Sequence, residues 1–259
     1  MEELIRKALK KDYRSVPIYT YEIVDSTNNV AKSMAKNGDV EHGTIIIAKS
    51  QSSGRGRRNR FFYSPSGLGL YLSLVLKRRV DPKDSLFLTI AASVAACRAI
   101  EKFTGKSPLI KWVNDLFLDG KKISGILTEG VQGSDGRIMD NIVVGIGINI
   151  HMDMESLPNE LSGIVGALNV EIEPSLLGAE ITNQLLDMEK DLKNPDILRE
   201  YREKSLILGK DIVYLEGDEE RRGKAVDIND QGNLIVEKTG GGFQILQSGE
   251  VSIIIRGEA

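Results

Sequence analysis

A chain of 259 residues, 41% hydrophobic and 27% charged, can pack a sizeable core beneath a polar surface, as one large domain or one with a small companion. A formal net charge of −3 excludes a chain wrapped along nucleic acid, so any anion binding must be local. A single cysteine, Cys97, excludes an internal disulfide, and with only His42 and His151 beside it no zinc or other metal site is expected.

Residues 1–15, MEELIRKALKKDYRS, are amphipathic and polar and lack the apolar centre of a secretory signal. No run is long and apolar enough to span a membrane, so a cytoplasmic protein with reduced thiols is expected. Residues 20–25 (TYEIVD) read as a strand. Asp25, Ser26 and Thr27 offer N-cap side chains for a helix through VAKSMAKNG, closed by Gly38. The β-branched run GTIIIAKSQ (43–51) predicts a buried strand, and LGLYLSLVL (68–76) another.

Between them lies QSSGRGRRNR (51–60), with four arginines and no acid. Glycines let backbone N–H groups approach oxygens, and arginines add bidentate charge-assisted bonds, so the loop suits a phosphate or carboxylate. It lacks the Gly-Lys-Ser/Thr ending of a P-loop and the spacing of a dinucleotide-binding turn. An exposed basic turn, or a loop touching RNA, explains it equally well when taken alone.

Residues 82–103 predict the clearest helix, opening with proline and ending before Gly105. In LIKWVNDLFLDGKKISGILTEG (109–130), Asp119-Gly120 between two alternating runs is a strong hairpin signal. A turn at Ser134-Asp135-Gly136 leads to the strand NIVVGIGINI (141–150), whose glycines suggest that something approaches its backbone. Two helices, 176–192 and 196–205, split near Pro195. After Gly209 the chain turns to five short strands with glycine turns, an all-β module that places a boundary near residue 206.

Lys122, beside Ser124-Gly125 in the hairpin, is a compact positive charge next to an open backbone, suited to a carboxylate or phosphate. Each such residue also has a plain structural reading. Lys122 could be a solvated hairpin charge, Asn114-Asp115 a turn or bulge, and Asn149 a strand-end hydrogen-bonding residue.

Taken in order, Asp25-Ser26-Thr27-Asn28, Gln51, Gly54-Arg55-Gly56-Arg57-Arg58-Asn59-Arg60, Lys111-Trp112-Val113-Asn114-Asp115, Lys122-Ile123-Ser124-Gly125 and Gly145-Ile146-Gly147-Ile148-Asn149 resemble the biotin protein ligases. The resemblance runs from about Thr20 to the end. It departs at Val113, where the family usually has proline, and at Phe62, where many members have a tryptophan that stacks on adenine. Bacterial members often begin with a DNA-binding winged helix; some twenty residues precede the first motif strand here, so a ligase without repressor function and without DNA as partner is expected.

The resemblance implies an α+β fold: a mixed β-sheet with helices packed on one face, akin to class II synthetases, in residues 1–206, and a small SH3-like barrel in 207–259. It implies two half-reactions. Biotin and ATP, with Mg2+, give biotinyl-5′-AMP; a lysine of a biotin carboxyl carrier protein domain then takes the biotin and releases AMP. Arg57 and Lys122 would sit at the carboxylate and α-phosphate; our own hypothesis is that Asp115 orients the acceptor amine and eases its deprotonation, against the plain reading of a structural turn carboxylate. Ser26, Thr27 and Gln51 would hydrogen-bond the ureido ring, with Asn28, Gly54, Arg55, Gly56, Arg57, Lys122, Gly125 and Gly147 completing the biotin site. Arg55, Arg60, Phe62, Lys111, Asn114 and Asn149 would face the nucleotide. A homodimer is expected. The rival readings are a lipoate or octanoate ligase, which shares the fold and a lysine near glycine but not the Gly-Arg-Gly-Arg loop, and a nonenzymatic RNA-binding protein. Against the latter, residues 207–259 hold two aromatics, Tyr214 and Phe243, too few for a stacking platform.

Overall fold

The computed structural model describes residues 1–78, 85–132, 139–216, 219–249 and 251–254. The proline heading the predicted helix 82–103 and the Ser134-Asp135-Gly136 turn lie outside the described residues. No described helix is long and apolar enough to cross a membrane.

The larger sheet has seven strands: β1 (Ile18–Val24), β2 (Thr44–Gln51), β3 (Gly69–Leu76), β4 (Leu109–Lys111), β5 (Asp115–Leu118), β6 (Lys121–Gln132) and β7 (Met139–Asn149), in the spatial order β1-β2-β3-β7-β6-β5-β4. Only β1 and β2 run parallel; every other pair is antiparallel, so the sheet is mixed. All eight residues of β3 are buried, as befits a strand covered on both faces.

The strand period of two divides the covering. Ile45 and Ile47 of β2 join the large core with Leu72 and Leu74, while Ile46 and Val75 join a smaller cluster. The large core receives α3 (Ser85–Thr104) and α4 (Pro174–Met188), with α1 (Glu2–Ala8) and α5 (Pro195–Glu203) beside them. Five alanines of α3, from Ala91 to Ala99, are buried and let this helix sit close. Helix α2 (Thr27–Asn37) lies alone on the opposite face, burying Ala31 and Ala35 against Ile46, Val75 and Val143. It ends at Gly38, whose φ of 82° is the left-handed cap that the sequence calls for. Both α4 and α5 start with proline, behind the caps Glu173 and Asn194.

The hairpin forms as predicted: Asp119 and Gly120 have φ of 51° and 74°, the pair of positive values that a two-residue turn of this hand requires. The arm before it is broken, however. Residues 112–114 turn between β4 and β5, and the Trp112–Val113 peptide is cis.

The second sheet comprises β8 (Asp211–Glu216), β9 (Glu219–Ile228), β10 (Leu234–Lys238), β11 (Phe243–Leu246) and β12 (Val251–Ile253), all antiparallel in the order β11-β10-β9-β8-β12. Five short antiparallel strands accord with the expected SH3-like module. Its inner residues, among them Ile212, Tyr214, Ala225 and Leu234, continue the large core. The seam is pinned by the Trp112 indole N–H, which donates to the Gly232 carbonyl at 3.1 Å, and by Arg202 on α5, which donates to the Ile228 carbonyl.

Candidate active site

The arginine loop folds back on itself between β2 and β3. Gly56 N–H donates to the Arg60 carbonyl at 2.7 Å, and Phe62 N–H to the Gly54 carbonyl at 2.9 Å. Gly54 has no room for a side chain: a methyl there would meet the Phe62 carbonyl at 2.3 Å and the Ser64 hydroxyl at 2.6 Å. Arg58 and Asn59 take positive φ at the tip.

Repulsion among the arginines is offset by partners from other elements. Arg55 reaches Asn29 Oδ1 on α2 at 2.9 Å and Glu129 Oε1 on β6 at 3.2 Å. Arg57 donates to Asn114 Oδ1 at 3.1 Å and to the Gly249 carbonyl at 3.3 Å. Asn114 is itself locked to β6, its amide donating to the Ile126 carbonyl at 2.8 Å.

The loop overhangs a cleft of about 370 Å³. Arg55, Gly56, Arg57, Arg60, Phe62, Lys111, Asn114, Asp115, Lys122, Gly125 and Asn149 all line it, so the predicted nucleotide and catalytic residues come together. Lys122 Nζ pairs with Asp115 Oδ1 at 2.7 Å across adjacent strands. Asn149 also makes the strand-end bond of its plain reading, donating to the Gly166 carbonyl at 2.9 Å.

Next to this cleft is a second recess of only about 20 Å³, lined by Ser26, Thr27, Asn28, Gln51, Arg55, Phe62, Gly125 and Gly147 with Tyr71 and others. That is space for a single water. The reason is Phe62. A methyl on Gly147 would lie 2.5 Å from its ring, and one on Gly125 would lie 3.4 Å away. What approaches the backbone at these two glycines is the protein's own phenyl ring, which borders both compartments. Gly145, two residues before Gly147, makes room for something else: a methyl there would strike Asn28 Oδ1 at 2.1 Å.

Ser26 occupies the N-cap position of α2, but its side chain makes no capping bond and borders the recess instead. Gln51 Oε1 accepts from Thr27 N–H at 2.8 Å, and its amide donates to Ser64 Oγ at 2.8 Å. Of the predicted residues, Gly54 alone lines neither space; it allows the loop to turn.

Three polar residues escaped the sequence reading: Ser64, Ser73 and Glu129. Burial pushes the Glu129 carboxyl up, but Lys32, Asn28 and Arg55 outweigh it and hold the group below the usual carboxylate range. Its signal in the sequence was faint, an acid on a strand facing no visible base. Cys97 is buried, and burial pushes its thiol well up, so it is no nucleophile. Among the described residues no cluster of three histidine, cysteine or acidic side chains could hold a metal ion.

Residues 20–149 match the model of the Biotin/lipoate A/B protein ligase family, and residues 207–253 that of the Biotin protein ligase C terminal domain. The chain belongs to this family. The bifunctional ligase/repressor BirA of Bacillus subtilis is 30% identical over 97% of this chain and 78% of its own length. The biotin–[acetyl-CoA-carboxylase] ligase of Mycobacterium tuberculosis is 28% identical, covering 87% of this chain and 85% of its own. Among solved structures, the biotin protein ligase of Aquifex aeolicus in complex with biotin and ATP superposes with a TM-score of 0.73 at 28% identity, covering 92% of this chain and 98% of that one. The family members' sheet-and-barrel plan is therefore this chain's plan too.

Proposed function

We propose that the protein is a biotin protein ligase: it activates biotin with MgATP to biotinyl-5′-AMP and passes biotin to a lysine of a biotin carboxyl carrier protein domain. The observation that carries this reading is the junction of two compartments at Phe62. A small recess edged by hydroxyl and amide groups meets a large cleft edged by arginines and lysines, and the two share Arg55, Phe62, Tyr71, Gly125 and Leu127. Once Phe62 moves aside, such a pair suits a ligand with a neutral polar ring at one end and a carboxylate at the other.

The first step brings two anions together, the biotin carboxylate and the α-phosphate. Arg57 and Lys122 line the cleft where they would meet and supply positive charge for the transition state. Asp115 holds Lys122 in place. Magnesium arrives with the triphosphate as part of the substrate and would be held by phosphate and water, which agrees with a cleft built from cations and amides. Arg60, Lys111, Asn114 and Asn149 are assigned to the nucleotide. Phe62 must leave the glycines for biotin to enter; swung toward the larger cleft, its ring would face adenine. In the second step the acceptor lysine, with a reference pKa near 10.4, must lose a proton, and we assign Asp115, which lines the cleft, to ease that.

We further read the chain as two units, 1–206 and 207–259, acting as a homodimer in the cytoplasm without DNA as a partner. The test of the reaction is direct. Purified protein is mixed with MgATP and equal biotin and lipoate, without a carrier, and the bound adenylate is identified by mass spectrometry. Biotinyl-AMP is expected; lipoyl-AMP would overturn the substrate, and no adenylate from folded protein would overturn the enzyme.

A further inference from the structure

The recess that we assign to the ureido ring is wired to residues that line neither space. Ser73 on β3 is fully buried, and Glu129 on β6 is ion-paired with Lys32 of α2. Both N–H groups of the Asn28 amide are taken by groups that can only accept: the Leu127 carbonyl at 3.2 Å and Glu129 Oε2 at 2.9 Å. This fixes which way the Asn28 amide points. Its Oδ1 therefore faces Ser73 Oγ, at 2.6 Å.

Two oxygens at that distance need a proton between them, and an amide oxygen has none, so the Ser73 hydroxyl donates to Asn28. Ser73 has one proton and has now spent it. Its contact with Thr27 Oγ1, at 2.8 Å, must then be made by the Thr27 proton. Thr27 in turn has nothing left to donate to Gln51 Oε1, 3.2 Å away, which the Thr27 backbone N–H already satisfies at 2.8 Å. What Thr27 presents to the recess is a lone pair.

We propose that Ser73 and Glu129 are specificity-determining positioning residues, which through Asn28 orient the Thr27 hydroxyl as an obligate acceptor for a ring N–H of the substrate. The inference rests on the biotin reading, since a cyclic urea offers such a donor and a dithiolane does not. Lys32 and Arg55, both on Glu129 Oε1 at 2.7 Å and 3.2 Å, keep the carboxylate charged and hence acceptor-only. The wire begins at a charge that cannot reverse and ends at a neutral hydroxyl that cannot flip. A ring that places an ether, a sulfur or an alkylated nitrogen against Thr27 meets lone pair against lone pair.

The experiment is a double-mutant cycle on biotin binding without ATP, by titration calorimetry, with wild type, Ser73→Ala, Thr27→Val and the double variant. Ser73→Ala removes one oxygen from a small buried side chain, and a thermal melt checks that each variant folds. Ser73→Ala is expected to weaken biotin about tenfold and Thr27→Val by a similar factor, while the double variant is no weaker than Thr27→Val. The maximal rate of adenylate formation at saturating biotin should hold in Ser73→Ala while its KM for biotin rises. A second arm uses biotin methylated at one or other ureido nitrogen: wild type should reject one isomer, and Ser73→Ala, whose Thr27 proton is free to turn, should reject it less. Wild type that binds biotin but shows losses that multiply in the double variant overturns the wire alone. Wild type that binds no biotin overturns the reading of the site and the wire with it.

Discussion

Lys122 and Asp115 face each other at 2.7 Å on neighbouring strands, and that pairing decides how their variants should behave. Lys122→Met removes the charge that the proposed mechanism assigns to the reacting phosphate and should slow adenylate formation by about 10²–10³-fold. Asp115→Asn leaves the lysine without its anchor, so it should slow adenylate formation by about ten- to a hundredfold as well as slowing transfer to the carrier. Single-turnover measurement of the two steps separates these effects; a variant slow in transfer but normal in adenylate formation would remove Asp115 from the positioning of Lys122. Much at this scale was legible in the sequence. Of the site residues named from their chemistry and their resemblance, all but Gly54 line the cleft or the recess. Glu129 and Ser73 were not, because a strand residue's importance lies in what faces it from another element, and no spacing encodes that. Nor could the sequence say that Phe62 would lie across Gly147.

At the scale of elements, the turn before β2 is tied to the end of α4 through His42. Its Nε2 lies 2.9 Å from Glu189 Oε1, and Arg78 Nη1 lies 3.5 Å from the other carboxylate oxygen. The Glu189 bond raises the imidazole's pKa, more than burial and the nearby Arg78 lower it. A raised folded-state value gives stability that is fully present below the unfolded imidazole pKa near 6.5 and fades as pH climbs through the higher folded value. His42→Gln should therefore lower the melting temperature at pH 5.5 more than at pH 8.5. Equal losses at both would mean that the imidazole's charge contributes nothing. Element boundaries were well foreseen where punctuation is chemical: Gly38, Asp119-Gly120 and Pro195 each stand where the chain turns. The faces were less so. A run such as TIIIAKSQ says that a strand is buried, but its β-branched residues look alike to both sides, so α2 across the far face from α3 could not be read from it. The break at residues 112–114 was hidden for a similar reason, since both flanks carry strand-forming residues.

Across the whole molecule, the cleft belongs to both sheets. Gly249, Val251 and Ser252 border it from the smaller sheet, while the apolar core runs through from α3 to β10 without a gap. Two sheets sharing a core should unfold together, even though each has its own strand order. The sequence showed the change of texture near residue 206; it could not show that the small sheet helps wall the site, because those contacts join residues some 190 positions apart. The bond from Trp112 to the Gly232 carbonyl sits at this seam, and Trp112 is the chain's one tryptophan, 3% exposed. Its light emission therefore reports on one place only, the joint between the two sheets, next to Lys111 and two residues before Asn114. In a denaturant titration its shift to longer wavelength should coincide with the loss of helical dichroism. A shift that came first would show the barrel peeling away while the helices stand. Titrated with nucleotide instead, the same indole should give an unlabelled optical signal from beside Lys111 and Asn114, so the enzyme's own joint would serve as the instrument for watching its substrate arrive.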